Sequence, residues 1–285
     1  MIRVWNIVLR PLATAAGART ILEVGSESGL SSRVLLNFVK EASGHLYSVD
    51  TNPDFDTGAL EADFPGLASF IRGASLDVIP TLPALDLVLL DGDHNWYTVH
   101  GELQALERAH EGAQMPVVAV HDSEWPYGRR DLYYDPSMVP QEYRHPFSQA
   151  PLPLPGAKVA RGGGINAGMN NCEHEGGARN GVMTAIEDYV RDSTHTWQVL
   201  HLPMYFGVTI MLPRERLGGS DALQAYASWL ENQLQGRELI ALCERLRLAE
   251  TIQAQALHEA LDNAHARIRE LEQQLGTAPL RDTPP

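Results

Sequence analysis

The stretch Ile21-Leu22-Glu23-Val24-Gly25-Ser26-Glu27-Ser28-Gly29 constrains the fold more than any other part of the chain. An apolar run closes on an acidic residue and then on two glycines four apart, which predicts a strand, a tight turn and a helix start. Gly25 and Gly29 free the backbone to turn sharply and to admit a ligand where a Cβ would clash. The helix predicted from Leu30 to Lys40 points its N-terminal amides at that ligand, so a nucleotide-like cofactor is expected there. The dinucleotide fingerprint G-x-G-x-x-G is not met, because Glu27 stands at its middle glycine and would repel a pyrophosphate. A cofactor with a cationic, phosphate-free centre suits the turn better.

Three more apolar runs end at polar tips. His45 to Val49 closes on Asp50, roughly 20 to 30 residues past the glycine turn, the interval of a ribose-binding acid. Asp86 to Leu90 runs into Asp91-Gly92-Asp93-His94, and Pro116 to Val120 into His121-Asp122-Ser123. Continuous apolar runs alternating with helical segments, such as Tyr97 to His110, indicate parallel strands buried on both faces. Ligands of such sheets sit beyond the carboxyl ends of the strands, so these tips converge on one crevice. The expected fold is α/β, Rossmann-like, with a seven-stranded, mostly parallel sheet and helices on both faces.

The residue types at the tips suggest chemistry. Asp91 and Asp122 are hard oxygen ligands for a divalent cation such as Mg²⁺, which keeps positions for a substrate's oxygens. His94, with an intrinsic pKa near neutrality, is the candidate general base. His121 is a third metal ligand, an alternative base or a structural histidine; an imidazole suits zinc, iron, copper or nickel better than magnesium. Asp93 has a second reading as the cap of the helix beginning near Trp96, and Ser75 as the N-cap of a helix after the strand at Phe70 to Arg72.

The pattern E-x-G-x-x-x-G at Glu23, Gly25 and Gly29 resembles motif I of the class I S-adenosylmethionine-dependent methyltransferases. That resemblance implies cofactor contacts from Glu23, Gly25, Ser26, Glu27, Gly29 and Asp91, with Asp50 on the ribose hydroxyls and Ser75 in the adenine-contacting segment. The arrangement D-x-x-H at Asp91 and His94, with an acidic tip after the next strand, is similar to the metal-dependent sugar O-methyltransferases of macrolide biosynthesis, and more distantly to the cephalosporin-hydroxylase-like group. In those relatives the aspartates bind the metal and the histidine is the base, which carries over to Asp91, Asp122 and His94. His121 departs, standing where the relatives have a carboxylate.

Trp125, Tyr127, Arg129, Arg130 and Tyr133 follow directly after the fifth strand and read as a substrate wall, since aromatic faces stack on rings and guanidinium groups grip acidic groups. The region 135–179, with a proline-rich stretch at Pro151 to Pro155 and a glycine-rich one at Arg161 to Gly168, is expected as a lid, within a lid and substrate region of about 123–180. Cys172-Glu173-His174-Glu175 lacks the second half of a zinc ligand set. Gly181 to Asp192 predicts a helix, and Trp197 to Leu202 and Tyr205 to Leu212 two strands that complete the sheet.

At 285 residues and 44% hydrophobic content the chain can bury one large core and keep an appendage. A net charge of -14 without a basic cluster argues against nucleic acid. A small-molecule substrate is expected instead. Two distant cysteines suit a reducing cytoplasm. The apolar N-terminus, Met1 to Ala18, is interrupted by Arg10 and Pro11 and is too short to span a membrane, so it is read as a helix leading into the first strand. These features divide the chain into a cofactor-binding domain at 1–217, a helical extension at 218–278 and a disordered tail at 279–285. In the extension Leu257, Leu261, Ala264, Ile268, Leu271 and Leu275 alternate steps of four and three, the seam of a coiled coil, and self-association is expected.

Three functions are compatible with these residues. The first is metal-assisted O-methylation of a sugar or other small natural product. The second is a metal-dependent hydroxylase or lyase-like enzyme on the same fold, and the third a non-catalytic oligomeric scaffold.

Overall fold

The computed structural model describes residues 1–154 and 164–276. Pro155, Arg161-Gly162-Gly163 and the tail expected at 279–285 lie outside the described residues. Two compact units are present, Met1–Ala150 with Gly168–Glu244, and Pro151–Ala167 with Arg245–Pro285.

In the first unit, helical turns from Ile2 to Leu9 lead into α1 (Arg10–Ala15), as expected of the apolar N-terminus. The parallel strands are β1 (Thr20–Val24), β2 (His45–Asp50), β3 (Ala68–Arg72), β4 (Leu87–Leu90) and β5 (Val117–His121). Between them run α2 (Leu30–Ala42), α3 (Thr57–Asp63), α4 (Ser75–Val78) and α5 (Trp96–Ala109). After β5 come the short strands β6 (Leu132–Tyr133), β7 (Phe147–Ser148) and β8 (Asn170–Cys172), then α6 (Val182–Asp192), β9 (Trp197–Leu202) and β10 (Val208–Pro213). The main sheet has the order β3-β2-β1-β4-β5-β10-β9, with β10 antiparallel to both neighbours. The order reverses between β1 and β4, so the crevice for a ligand opens where those two strands end. The expected Rossmann-like sheet is therefore present. Its last strand starts at Val208 rather than Tyr205, because Tyr205, Phe206 and Gly207 take positive φ and turn the chain back.

Alternation along the buried strands builds the two faces. Leu87 and Leu89 pack with Val117 and Ala119 under α2 and the N-terminal helices, while Val88 and Leu90 pack with Val118 and Val120 under α5 and α6. The chain continues through α7 (Arg214–Gly218), α8 (Asp221–Leu234) and α9 (Arg237–Gly276). Ser220 caps α8 by accepting from the Leu223 amide, and Leu223, Tyr226, Ala227 and Leu230 join the first face of the core. The Tyr226 hydroxyl donates to Val8 O. The α8 stripe lies within the first unit, which runs on to Glu244.

The part of the region expected as a lid that lies in this unit is pinned. β6, β8 and β7 form a second, antiparallel sheet. At its root is Asp131, 1% exposed, whose Oδ1 accepts from the Trp96 and Gly181 amides and whose Oδ2 accepts from the Tyr133 hydroxyl. One carboxylate thereby ties β6 to the starts of α5 and α6. In the second unit, Leu152 and Ile165 form an antiparallel bridge.

Candidate active site

The glycine turn forms as expected, but its glycines have protein neighbours. Gly25 has φ +87°, and a Cβ there would strike the Asp91 carbonyl; Gly29 has φ +75°, and a Cβ would lie 2.9 Å from the Phe55 ring. At both positions close packing of backbone or ring and a left-handed backbone require glycine. Gly25 thus lets β1 and β4 end side by side, with Asp91 N–H donating to Val24 O at 2.9 Å.

Asp50 binds this turn directly. Its Oδ2 accepts from Ser26 N at 2.8 Å, Ser26 Oγ at 3.2 Å and Glu27 N at 2.9 Å, and its Oδ1 accepts from Asn52 N at 2.8 Å. A carboxylate has about four lone-pair sites. In this arrangement its four bonds hold the turn. Glu23 is 2% exposed and takes the Ser32 and Ser48 hydroxyls on Oε2, at 2.5 and 2.8 Å, while Oε1 has no partner. Burial raises its pKa against the pull of Ser31, Ser32 and Ser48, and the Asp91 charge adds to the rise. Glu27 is exposed at the apex with φ +46°.

Ser75 is neither the cap of α4 nor aimed at the crevice. Ala74 holds the cap position, and the Ser75 hydroxyl donates to Glu102 Oε1 at 2.5 Å, because that buried carboxyl on α5 needs a partner. Asp93 does not cap α5 either; Asn95 does, and Asp93 accepts from the Thr98 hydroxyl.

At the tips of β4 and β5, ligand atoms of Asp91, His94, His121 and Asp122 all lie within 4.8 Å of one another. His121 Nδ1 is 2.9 Å from Asp91 Oδ1 and 2.7 Å from Asp122 Oδ2. His94 Nε2 is 3.0 Å from Asp122 Oδ2 and 3.8 Å from Asp91 Oδ1, without the alignment of a hydrogen bond, so it is a buried polar atom lacking one. Asp122 reaches the cluster through a left-handed backbone, φ +55°, a strained state for a non-glycine residue. The Met1 ammonium lies 2.8 Å from Asp91 Oδ2.

The groups of the cluster shift one another's pKa values. Burial would lower the pKa of His94, but Asp122, Tyr134 and Asp91 raise it well above the ordinary value. Burial likewise opposes, and Asp91 and Asp122 override, at His121, which is pushed up to about 9. The same pairs hold Asp91 and Asp122 below the usual carboxylate range against their own burial. As found, two imidazolium rings and the Met1 ammonium face two carboxylates, and neither ring is a free base at neutral pH.

Of the five residues expected as a substrate wall, Tyr127 alone is in ring contact with the cluster: its ring lies parallel to His94, 6° apart in plane and 5.8 Å between centroids. Trp125 is half-buried just beyond the tip of β5. Arg129 instead grips Glu187 of α6 through two bonds of 2.6 Å, and Arg130 donates to the Cys172 carbonyl and pairs with Glu175. Both guanidiniums found protein acceptors, Arg129 on α6 and Arg130 on β8. Tyr133 is 1% exposed, tied to Asp131 and His145. Its neighbour Tyr134, 53% exposed, is the residue that sequence reasoning missed; its hydroxyl stands 3.3 Å from His94 Nδ1. Adjacent residues of an extended segment face opposite ways, so the pair Tyr133-Tyr134 was the available signal. A separate cleft of about 480 Å³ opens beside Glu107, Tyr189, Ser193 and Thr194 and contains no residue of the cluster.

A match to known sequences covers the same ground. Residues 22–123 match the profile of a methyltransferase domain family. The matched segment starts in β1 and ends at Ser123, so it includes the glycine turn, Asp50 and all four cluster residues. No curated protein matches the chain. Among solved structures, a methyltransferase of Podospora anserina, PaMTH1, bound to SAH, is similar at 15% identity over 71% of this chain and 75% of that one, TM-score 0.44. A putative caffeoyl-CoA O-methyltransferase from Staphylococcus aureus shares 13% identity over 72% and 80%, TM-score 0.41. The O-methyltransferase TomG of Streptomyces achromogenes, involved in tomaymycin synthesis and solved with SAM, shares 18% over 72% and 77%, TM-score 0.40.

Proposed function

We propose that the chain methylates a hydroxyl of a sugar or another small natural product, using S-adenosylmethionine with help from a divalent cation. The observation that carries this reading is the convergence of Asp91, His94, His121 and Asp122 beside the glycine turn of a methyltransferase-type domain.

Two carboxylates and two imidazoles, one of them with a buried ring nitrogen, His94 Nε2, that makes no hydrogen bond, form a donor set that fits a divalent ion. Asp91, Asp122 and His121 would hold it. With two imidazoles close by, manganese, iron or zinc suits the set better than the magnesium expected from the carboxylates alone. Such an ion, when bound, lowers the pKa of a hydroxyl on it. With Asp91 and Asp122 occupied as ligands, the field that raises His94 would weaken, and the ring would stand nearer its ordinary range, able to accept the hydroxyl proton. Tyr127 fixes one face of that ring and Tyr134 meets Nδ1. On the cofactor side, the turn from Gly25 to Gly29 braced by Asp50 presents its edge, and Glu23 Oε1 is a buried acceptor suited to an ammonium. Exposed Glu27 makes this edge hospitable to a cationic cofactor and hostile to a pyrophosphate.

His121 within the ligand set favours one second reading, a metal-dependent hydroxylase or lyase-like reaction. Mass spectrometry of the denatured protein and elemental analysis of the native one separate the two. S-adenosylmethionine or its demethylated product in the fraction supports methyl transfer, whereas bound metal with no affinity for either supports the second reading.

A further inference from the structure

The C-terminal part of α9, from Ala254 onward, carries an apolar seam that the methyl-transfer chemistry does not use. At ~1.5 Å per residue this 40-residue helix is about 60 Å long. In heptad terms Leu257, Ala264 and Leu271 fall at d, and Ala254, Leu261 and Ile268 at a. The large members are left open: Leu257 is 72% exposed, Leu261 51%, Ile268 51% and Leu271 42%. Single exposed apolar residues are ordinary, but a row in steps of four and three is one continuous stripe.

We infer that this segment pairs with the same segment of a second copy of the chain, as a parallel, in-register two-stranded coiled coil. Charge placement identifies the partner. A chain of net charge -14 repels its own copies, so a seam built for self-pairing must avoid a net acidic rim. It does: Asp262, Arg269 and Glu270 fall at b and c, on the outer side, whereas the positions a, d, e and g from Ala254 to Leu275 hold only Arg267 at g and Glu272 at e, one charge of each sign. Arg267 is neutralised within its own helix by Glu270 Oε2 at 2.7 Å. A partner chosen by charge would need a rim of one sign to read, and this rim has no net charge. The seam is instead complementary to itself, each layer meeting its own residue, and its layers at Ile268 and Leu271 carry the Ile-at-a, Leu-at-d combination that favours two parallel strands. Because the seam spans few heptads, the pairing is expected to depend on concentration.

Sedimentation velocity of the full chain over a wide concentration range tests this. The expected result is a species of twice the chain's mass at high concentration, lost in the Leu261→Asp/Ile268→Asp double variant while the thermal melt of the sheet domain is unchanged. A wild-type chain that stays monomeric throughout, or a double variant that still dimerises, overturns the inference. Leu257→Cys in a Cys243→Ser background reads the direction without disrupting the helix. Parallel pairing joins Leu257→Cys to its own copy as a covalent dimer under mild oxidation. Antiparallel pairing puts the two thiols at opposite ends, and a dimer that fails to cross-link overturns the parallel arrangement.

Discussion

The Tyr134 hydroxyl lies 3.3 Å from His94 Nδ1, while Tyr133, the preceding residue, points the other way into Asp131. Two neighbouring tyrosines therefore have separable roles. Tyr134→Phe should lower turnover by about tenfold, the equivalent of one hydrogen bond of ~1.4 kcal/mol, and leave the melting temperature unchanged. Tyr133→Phe strands the Asp131 carboxylate and the His145 amide, and should cost about 1 to 3 kcal/mol of stability with little effect on turnover. Denaturant titration and steady-state rates of both variants decide the assignment; exchanged phenotypes would reverse it.

The cation account predicts that a chelator abolishes turnover and that Asp91→Ala does so with cofactor affinity nearly unchanged. Reactivation should be better with manganese, iron or zinc than with magnesium if His121 is a ligand. A ligand imidazole must first lose its proton, and the His121 pKa stands at about 9 in the cation-free state. Cation affinity should accordingly rise with pH and level off above that value, and His121→Ala should flatten the rise. Full activity in chelator contradicts the account.

Loss of the general base should be visible too. His94→Ala is expected to lower turnover by about 100- to 10,000-fold with modest change in cofactor binding. Rates for His94→Ala and His121→Ala side by side test the roles, and an active His94→Ala enzyme beside an inactive His121→Ala one would exchange base and ligand.

Glu102 predicts a pH dependence of stability away from the cluster. Burial beneath α4 raises its pKa from 4.5 to about 8, only partly offset by the Ser75 hydroxyl. A carboxyl raised in the fold favours the folded state most below the unfolded value, and that contribution is lost as pH climbs through the folded value. Stability should fall between pH 4.5 and about 8 on this account. Glu102→Gln, neutral at every pH, should remove that part of the slope in thermal melts; an unchanged slope would show that Glu102 does not titrate there.

What could be read from the sequence was whatever depends on strand tips. Continuous apolar runs fix buried parallel strands, and the residues ending them must sit at one edge, so Asp50, Asp91, His94, His121 and Asp122 were placed at that edge before any coordinate. Side-chain direction beyond those tips was not readable. Arg129 is captured by Glu187, 58 residues away, and Ser75 by Glu102, 27 away, pairings that exist only once helices pack. β6 is two residues long, too short for alternation to choose between Tyr133 and Tyr134. Asp50 was placed correctly but not its partners, because amides of a turn carry no side-chain signature.

Calorimetric titration of the chain with S-adenosylmethionine and with NADH tests the central claim most directly, since it needs no knowledge of the methyl acceptor. Saturable binding of S-adenosylmethionine and none of NADH is predicted. Asp50→Ala, which releases the Ser26 and Glu27 amides of the glycine turn, should weaken that binding by about 1.5 to 3 kcal/mol for each bond to the carboxylate that the bound state depends on. Binding of NADH with no response to S-adenosylmethionine would contradict it.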